Sequence, residues 1–257
     1  MNRLLRKLAN ASPAKAWDLL RDPAGIAGKL RAPADSSNFE AVSALLSGVT
    51  KQDVERLRVE LLQHHELTAA LEQGMVRERR RRVRWTGWND FLYILIRTYR
   101  PKLMIETGVF DGQSSALILQ ALADNGQGEL ISVDFPALCT VEGSTDRMAE
   151  STLPPGKGPG WLIPDALRDR HTLQLGDARE LLPPLLEQHK PIDVFFHDSL
   201  HTFEHQMFEY QVAWPVLRKG GLLLSDDIFW SDAFSRFCRE QGTRFVCVNG
   251  FGATRKP

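Results

Sequence analysis

The chain has 257 residues, of which 43% are hydrophobic and 25% are charged, as is ordinary for a soluble globular protein. Lys and Arg together number 32, and so do Asp and Glu, so the formal net charge is zero and neither nucleic acid nor an anionic membrane is expected as a partner. No run approaches the roughly 20 apolar residues of a membrane-spanning helix. The three cysteines are far apart in the sequence, which predicts reduced thiols and a cytoplasmic location.

Residues 1–85 show helical patterns without strand alternation, and we interpret them as a helical extension that serves as a cap or as a dimerisation element of a homo-oligomer. From Val54 to Leu71 apolar residues recur three and four positions apart, which predicts an amphipathic helix. Gly74 is expected to interrupt this helix. The arginine-rich run 77–84 is interpreted as a solvated helix face, because one linear basic patch in a neutral protein does not indicate nucleic-acid binding.

From residue 86 onward strands and helices alternate, which is the pattern of a doubly wound parallel sheet. A buried helix over residues 88–99 leads into the first strand. The predicted parallel strands are 103–106, 130–133, 172–175, 193–196 and 222–225. Helices are predicted in the gaps near 178–189, 202–218 and 231–241. An Asn-Gly pair within 244–255 predicts an antiparallel hairpin at the edge of the sheet.

Every predicted parallel strand ends at an acidic residue or just before one, namely Glu106, Asp134, Asp177, Asp198 and Asp226. In an open α/β sheet these ends line one crevice, where ligands bind. An acid after the second strand suits the two hydroxyls of a ribose, and Asp177 with Ala178 suits the amino group and ring edge of adenine. The long insertion 135–170 follows the second strand, so it is predicted to form a lid or a substrate-binding segment.

The turn after the first strand has glycines at positions 108 and 112 and leads into a helix. Glycine permits a tight turn and the close approach of a ligand, and the amino end of the helix offers free N–H groups. A dinucleotide-binding turn would carry glycine in place of Phe110. It would also lack the charge of Glu106, which repels a pyrophosphate and attracts a cationic aminoacyl sulfonium. The turn therefore favours S-adenosylmethionine over NAD.

The order of these motifs resembles the class I S-adenosylmethionine-dependent methyltransferases, in particular a bacterial group similar to catechol O-methyltransferase-type and cephalosporin-hydroxylase-type enzymes. The resemblance rests on Glu106-x-Gly108, Asp134, Gly176-Asp177-Ala178, Asp198 and the segment 219–227. It covers roughly residues 86–255 and implies a Rossmann-like α/β fold with the strand order 3-2-1-4-5-7-6. Residues 86–257 would then form the methyltransferase domain that follows the helical extension 1–85.

The resemblance also implies a role for each matching residue. The implied cofactor-binding residues are Glu106, Gly108, Gly112, Ser114, Asp134, Asp177, Ala178 and Asp198. Among them, Glu106 and Gly108 would border the methionine moiety, Asp134 would hold the ribose, and the pair 177–178 would frame adenine. In metal-dependent relatives an acid after the fourth strand and an acidic pair after the fifth bind a divalent cation. The corresponding positions are Asp198, Asp226 and Asp227; catechol-type relatives usually have Asp-Asn at the last two.

Three carboxylates in one crevice repel one another, and a hard cation such as Mg²⁺ relieves that repulsion. Such an ion could lower the pKa of a substrate hydroxyl and orient it toward the methyl group. His201 could then accept the proton as general base, or it could bind the metal itself. Asp198 and Asp227 could instead cap the helices that follow them. His197 and His205 are interpreted as packing or surface residues.

These observations predict an S-adenosylmethionine-dependent methyltransferase that methylates a hydroxyl of a small molecule with the help of a divalent metal, with Asp198 and His201 as catalytic residues. Two alternatives remain open. The first is a metal-dependent hydrolase that uses His197, Asp198 and His201. The second is a binding module that has the fold without catalysis.

Overall fold

A seven-stranded sheet forms the centre of the structure, a computed structural model that describes residues 35–135 and 152–257. Its strands are β1 (Leu103–Thr107), β2 (Glu129–Asp134), β3 (His171–Leu175), β4 (Ile192–His197), β5 (Leu217–Ser225), β6 (Phe245–Val248) and β7 (Phe251–Arg255). They are arranged in the order β3-β2-β1-β4-β5-β7-β6. The first five strands pair in parallel, and β7 pairs antiparallel with β5 and β6. The predicted strand order and edge hairpin are confirmed.

Eight α-helices surround this sheet in the described ranges. They are α1 (Asn38–Leu45), α2 (Lys51–Gln63), α3 (His65–Arg79), α4 (Gly87–Tyr99), α5 (Gln113–Asp124), α6 (Ala178–His189), α7 (Phe203–Val216) and α8 (Ala233–Glu240). A 3-10 helix over Asp165–Arg170 precedes β3. None of the helices in residues 35–135 and 152–257 has the length and apolar character needed to cross a membrane.

The helices form two layers, one on each face of the sheet. Successive residues of a strand point to opposite faces. Phe195 accordingly belongs to the apolar core under α6, α7 and α8, whereas Val194 and Phe196 belong to the core under α1 to α5. All three side chains are almost completely buried. Burial on both sides explains why the parallel strands appear in the sequence as continuous apolar runs.

The helical extension differs from its prediction in one respect. The segment 54–71, predicted as a single helix, belongs to two helices that meet at His64, where the backbone leaves the helical conformation and the imidazole binds the Asp124 carboxylate at 2.8 Å. The predicted interruption at Gly74 is wrong. Gly74 lies inside α3, where a Cβ atom would come within 2.5 Å of the end of the Leu162 side chain, so a larger residue there would require Leu162 to shift.

The apolar side chains of α1, α2 and α3 are part of the same core as those of α4 and α5. The part of the predicted helical extension in residues 1–34 lies outside the described residues, and so does the part of the insertion in 136–151. The interpretation of residues 1–85 as a cap or a dimerisation element stays a prediction.

The ring of Phe251 joins the hairpin to the helical layer, and it gives a test of this core. It is fully buried and contacts the rings of Trp88, Phe91 and Phe196 at centroid distances of 5.5, 5.9 and 5.3 Å. Replacing it, Phe251→Ala, should lower the free energy of unfolding by about 3–5 kcal/mol through lost burial and a residual cavity. Urea denaturation measures this change. The control Leu62→Ala, at a side chain that is 58% exposed, should change it by less than about 0.5 kcal/mol.

Candidate active site

The carboxyl ends of the parallel strands bring the predicted acids to one edge of the sheet. Glu106 on β1 lies between Ser132 on β2 and Phe196 on β4 in the strand register. Asp134 ends β2, and Asp198 and Asp226 directly follow β4 and β5. A shared crevice for these acids was predicted, and the strand order places their positions side by side.

Glu106 is a buried carboxylate held by hydroxyl groups. It accepts hydrogen bonds from the Oγ atoms of Ser115 and Ser132, both at 2.7 Å, and from that of Ser114 at 3.4 Å. Burial raises the pKa of Glu106 to about 7, although these hydrogen bonds act in the opposite direction. The carboxylate therefore pays a high desolvation cost for its charge, which a cationic ligand group would offset.

A histidine continues this hydrogen-bond chain. His171 Nε2 lies 2.9 Å from the Ser132 hydroxyl, which gives its only proton to Glu106. Ser132 must accept from His171, so the imidazole is protonated at Nε2. Burial lowers the pKa of His171 to about 4, so the ring is neutral at pH 7. Sequence reasoning missed this contact because His171 begins a strand that is far from Glu106 along the chain.

The turn after β1 is shaped by close backbone contacts. Gly108 has a φ angle of +81°, and a Cβ atom there would lie 2.0 Å from the Asp198 carbonyl oxygen. Only glycine meets both conditions. Asp134 Oδ2 accepts hydrogen bonds from the backbone N–H groups of Val109 at 2.7 Å and Phe110 at 2.9 Å. Asp134 thus fixes the turn; its contact with a ribose stays a prediction.

Asp111 ties this turn to two other parts of the chain. Its buried carboxylate binds the Arg79 guanidinium through two hydrogen bonds of 2.6 Å and accepts a third from Trp161 Nε1 at 2.7 Å. The same guanidinium lies 4.6 Å above the ring of Phe110. Sequence reasoning missed this cluster, because its members are separated by 32 and 50 residues and follow no local pattern.

The described end of the insertion lies directly on the turn. Gly112 has a φ angle of +94°, and a Cβ atom there would be 2.8 Å from Gly160 Cα. The backbone N–H of Gly160 donates to the Phe110 carbonyl at 2.8 Å, and that of Leu162 donates to the Asp111 carbonyl at 2.9 Å. Gly112 is therefore needed for the contact between insertion and turn, and a direct role in cofactor binding stays a prediction.

The predicted adenine site lies after β3. Asp177 is the N-cap of α6 and accepts a hydrogen bond from the Arg179 backbone N–H at 2.8 Å. Ala178 is buried in the first turn of that helix. Leu175, two residues before Asp177, is an apolar side chain that is 59% exposed at the end of β3. The capping role of Asp177 is structural, and its contact with adenine stays a prediction.

Asp198 lies at the centre of the crevice. Its backbone N–H donates to the Thr107 carbonyl at 2.8 Å, and its carboxylate lies 3.5 Å from Ser114 Oγ and 4.0 Å from His201 Nε2. Burial raises the pKa of Asp198 well above its ordinary value, and the charges of Asp226, Glu106 and Asp227 add to this effect. The cap of α7 is Thr202, which accepts from a backbone N–H in the first turn, so the alternative of Asp198 as the cap is wrong.

The acidic pair after β5 faces the same space. Burial raises the pKa of Asp226 to about 7, and the neighbouring charge of Asp227 acts in the same direction. Asp227 adopts a φ angle of +48°, which is uncommon outside glycine. At the start of α8 the Ser231 hydroxyl, not the Asp227 side chain, accepts a hydrogen bond from the Ala233 backbone N–H.

The three crevice carboxylates have the chemistry of a site for a hard cation, since all donors are oxygen. The charges of Asp226 and Asp227 add to the effect of burial on the pKa of Asp198, and the charge of Asp227 adds to that on Asp226. The distances between these carboxylates fit a shared ion less well. In residues 35–135 and 152–257, the ligand atoms of Glu60, His64 and Asp124 lie within 4.8 Å of one another, and the three crevice carboxylates are not in that group. The metal role of Asp198, Asp226 and Asp227 stays a prediction.

That second group lies away from the crevice. Asp124 is the last residue of α5 and Ser114 is the second, so about 15 Å of helix separates the group from the crevice. Glu60 already accepts hydrogen bonds from Tyr93 at 2.7 Å and from Arg97 at 2.6 Å. The group therefore gives no support to a metal at the carboxyl ends of the strands.

The histidines near Asp198 occupy buried positions. The ring of His201 lies between those of His197 and Trp230, at centroid distances of 5.3 and 5.7 Å. His197 and His205 both bind the buried carboxylate of Glu209, so a surface position for either is excluded. Sequence reasoning missed Glu209, although its i, i+4 spacing from His205 on a helix is a signal that could have found it.

Comparison with known proteins agrees with this geometry. A family model described as a methyltransferase domain matches residues 105–228, which contain all the predicted site residues. No curated protein matches the sequence. A Staphylococcus aureus protein proposed to be a caffeoyl-CoA O-methyltransferase has a similar structure, with a TM-score of 0.54 and 14% identity over 81% of this chain and 100% of that chain.

Two further solved structures have a TM-score of 0.51. One is the SAH-bound Podospora anserina methyltransferase PaMTH1, with 13% identity over 82% of this chain and 97% of that chain. The other is a methyltransferase from Geobacter sulfurreducens, with 18% identity over 82% of this chain and 98% of that chain. These likenesses concern the fold. The matched range shows that the chain contains a methyltransferase domain and is an enzyme of that class, and the sheet has the strand order of the class I fold.

Proposed function

We propose that this enzyme transfers the methyl group of S-adenosylmethionine to a hydroxyl group of a small molecule. The observation that carries the proposal is Glu106, a buried carboxylate at the end of β1 whose hydrogen bonds come from serine hydroxyls. Such donors leave its negative charge uncompensated, so a cationic ligand group is favoured beside it. The ammonium and sulfonium groups of S-adenosylmethionine provide that charge.

The cofactor assignment has support from a protein of the same fold, since the Podospora anserina methyltransferase was crystallised with SAH bound. Hydroxyl methylation has support from the description of the Staphylococcus aureus protein as a proposed O-methyltransferase. It also requires a group that accepts the hydroxyl proton, and His201, beside Asp198, is suited to that task at neutral pH. In this proposal His201 is the general base.

The hydrolase alternative is less favoured by the same geometry. A hydrolytic metal site would need the histidines to converge on Asp198. Instead His197 Nδ1 and His205 Nε2 both point to Glu209, at 2.6 and 2.9 Å. A binding module without catalysis is separated from the enzyme by a turnover assay with isotopically labelled S-adenosylmethionine and a panel of hydroxylated metabolites.

We further propose a divalent cation at Asp198, Asp226 and Asp227. When bound, such an ion supplies charge that lowers the pKa of a coordinated hydroxyl. The raised pKa values of Asp198 and Asp226 support the proposal, because burial and then mutual repulsion raise them and a cation would relieve both costs of the charge.

Residues 1–85 are proposed to act as a cap on the cofactor-binding turn. Arg79, at the end of α3, supports this role through its two hydrogen bonds to Asp111 in the turn. Assembly of the chain into a homo-oligomer through these helices stays a proposal that light scattering on the purified protein would test.

The first prediction from the proposed function concerns Glu106 and pH. Because its pKa is raised to about 7, the carboxyl group is partly protonated below neutrality and cannot attract the ammonium group of the ligand. The affinity for S-adenosylhomocysteine should therefore increase about tenfold from about pH 6 to about pH 8. Isothermal titration calorimetry measures it. In Glu106→Gln the affinity should be weaker and the pH dependence lost, and a pH dependence that persists in the variant would assign it to another group.

The second prediction concerns Arg79. The variant Arg79→Met keeps much of the length of the side chain and removes both hydrogen bonds to Asp111, so the turn should become less ordered and the Kd for S-adenosylhomocysteine should rise roughly tenfold. Arg77→Met is the matched control, since Arg77 is exposed and pairs with the adjacent Glu78. Equal effects of the two substitutions would contradict the capping role.

The third prediction concerns the metal. EDTA should abolish methyl transfer by the wild-type enzyme and added Mg²⁺ should restore it, while Asp226→Asn should remove heat of Mg²⁺ binding in calorimetry. Asp124→Asn, which alters the group at the far end of α5, should leave both unchanged. Full activity in EDTA would refute the metal assignment and leave the cofactor assignment standing.

A further inference from the structure

Beneath the loop that carries Asp198 and His201 lies a carboxylate with no part in the function proposed above. Glu209 on α7 is completely buried. It accepts hydrogen bonds from Thr107 Oγ1, His197 Nδ1 at 2.6 Å, Ser199 Oγ at 2.8 Å and His205 Nε2 at 2.9 Å. Burial alone would raise the pKa of Glu209, but the hydrogen bonds from His197 and then from His205 hold it below its ordinary value. The group is therefore an ionised carboxylate that only accepts.

The donors to Glu209 come from separate elements that meet under the crevice. Thr107 ends β1 and His197 ends β4, and the two residues are partners in the parallel register of the central strands. Ser199 belongs to the loop between β4 and α7. One carboxylate thus fixes two strand ends and the loop that presents Asp198 and His201.

Because Glu209 only accepts, its partner His197 must carry a proton on Nδ1. Within residues 35–135 and 152–257, His197 Nε2 has no hydrogen-bond partner, although the ring is completely buried. In a neutral imidazole this arrangement leaves a lone pair at Nε2. The ring of His201 packs edge to face against this imidazole, with 5.3 Å between the centroids and 80° between the planes. His201 therefore packs against a surface that depends on the tautomer and orientation of the His197 ring.

The loop that carries Asp198 and His201 packs directly against the turn that follows β1. A Cβ atom at position 108 would be only 2.8 Å from Ser199 Cα and 2.0 Å from the Asp198 carbonyl oxygen. The hydrogen bond from Ser199 to Glu209 holds this part of the loop at that distance. A substitution of Glu209 would therefore alter the position of His201 and also that of the turn that follows β1.

We propose that Glu209 is a positioning residue for methyl transfer, which fixes the Nδ1–H tautomer of His197 and, with the Ser199 hydroxyl, sets the place of His201 beside Asp198. The inference rests on the proposed function, in which His201 accepts the proton of the substrate hydroxyl. Glu209 touches neither substrate nor cofactor in this scheme, and it acts through the two histidines and the loop.

The tautomer is tested without any activity measurement. Long-range ¹⁵N–¹H correlation spectra of the full-length protein, assigned with His197→Gln, should show His197 protonated at Nδ1 and bare at Nε2. In Glu209→Gln the amide group brings its own N–H donors, so the Nδ1–H form should lose its preference. An Nε2-protonated His197 in the wild type, or an unchanged spectrum in the variant, would overturn the proposal.

The kinetic test asks whether Glu209 acts through His201. Glu209→Gln should lower kcat by roughly 10- to 100-fold, the range seen when a hydrogen-bond partner of a functional group is removed. KM for the acceptor should change little. In a His201→Ala background the same substitution should have no further effect, whereas independent, multiplying losses would show a merely structural role and overturn the proposal. Ser199→Ala provides a milder second variant with the same expected non-additivity, should Glu209→Gln fail to fold.

A matched control separates positioning from general loss of a buried carboxylate. Asp193 is also buried and accepts hydrogen bonds from the backbone N–H groups of Lys102 and Leu103, at the opposite end of the strands. Asp193→Asn should lower the melting temperature and leave the His197 spectrum and kcat unchanged. If the wild type binds no S-adenosylhomocysteine and transfers no methyl group, the proposed function fails, while the His197 spectrum still decides whether Glu209 fixes the tautomer.

Discussion

The contact between the first and fourth strand ends is the constraint on which the rest of the site depends. The backbone of Asp198 lies so close to Gly108 that position 108 has no room for a side chain. The Asp198 backbone N–H also donates to the Thr107 carbonyl, so this contact continues the pairing of β1 with β4 beyond the sheet. The turn that would hold the cofactor and the loop that would hold the acceptor are therefore parts of one unit.

The acidic residues around this unit fall into two groups, according to the hydrogen-bond donors that each carboxylate has. Asp134 and Asp111 have backbone or guanidinium donors and serve to hold the turn. Glu106, Asp198 and Asp226 have weaker compensation, and burial raises the pKa of all three. The acids with backbone or guanidinium donors thus hold the turn in place. The acids whose charge has weaker donors face the space where a cationic cofactor or a metal would bind. This division follows from the cost of burying a charge without a partner.

The sequence predicted those features that depend on short-range patterns. The five parallel strands, their terminal acids and the Asn-Gly hairpin were found because each is written in a few consecutive residues. The Arg79–Asp111–Trp161 cluster and the partners of Glu209 were missed because side chains distant in the sequence meet only through the fold. The break at His64 was placed at Gly74 instead, since helix propensity alone carries no information on the imidazole contact with Asp124.

The positive φ angle of Asp227 has a consequence for how the crevice charge can vary. Asparagine and aspartate are the two residues other than glycine that adopt this left-handed conformation with the least strain. An exchange between them at position 227 alters the charge beside Asp226 by one unit and leaves the backbone conformation equally accessible. The Asp-Asp pair of this chain and an Asp-Asn pair at the same two positions would then differ in charge and share one backbone conformation. The acidity of the crevice can change there in a single substitution, without a new turn.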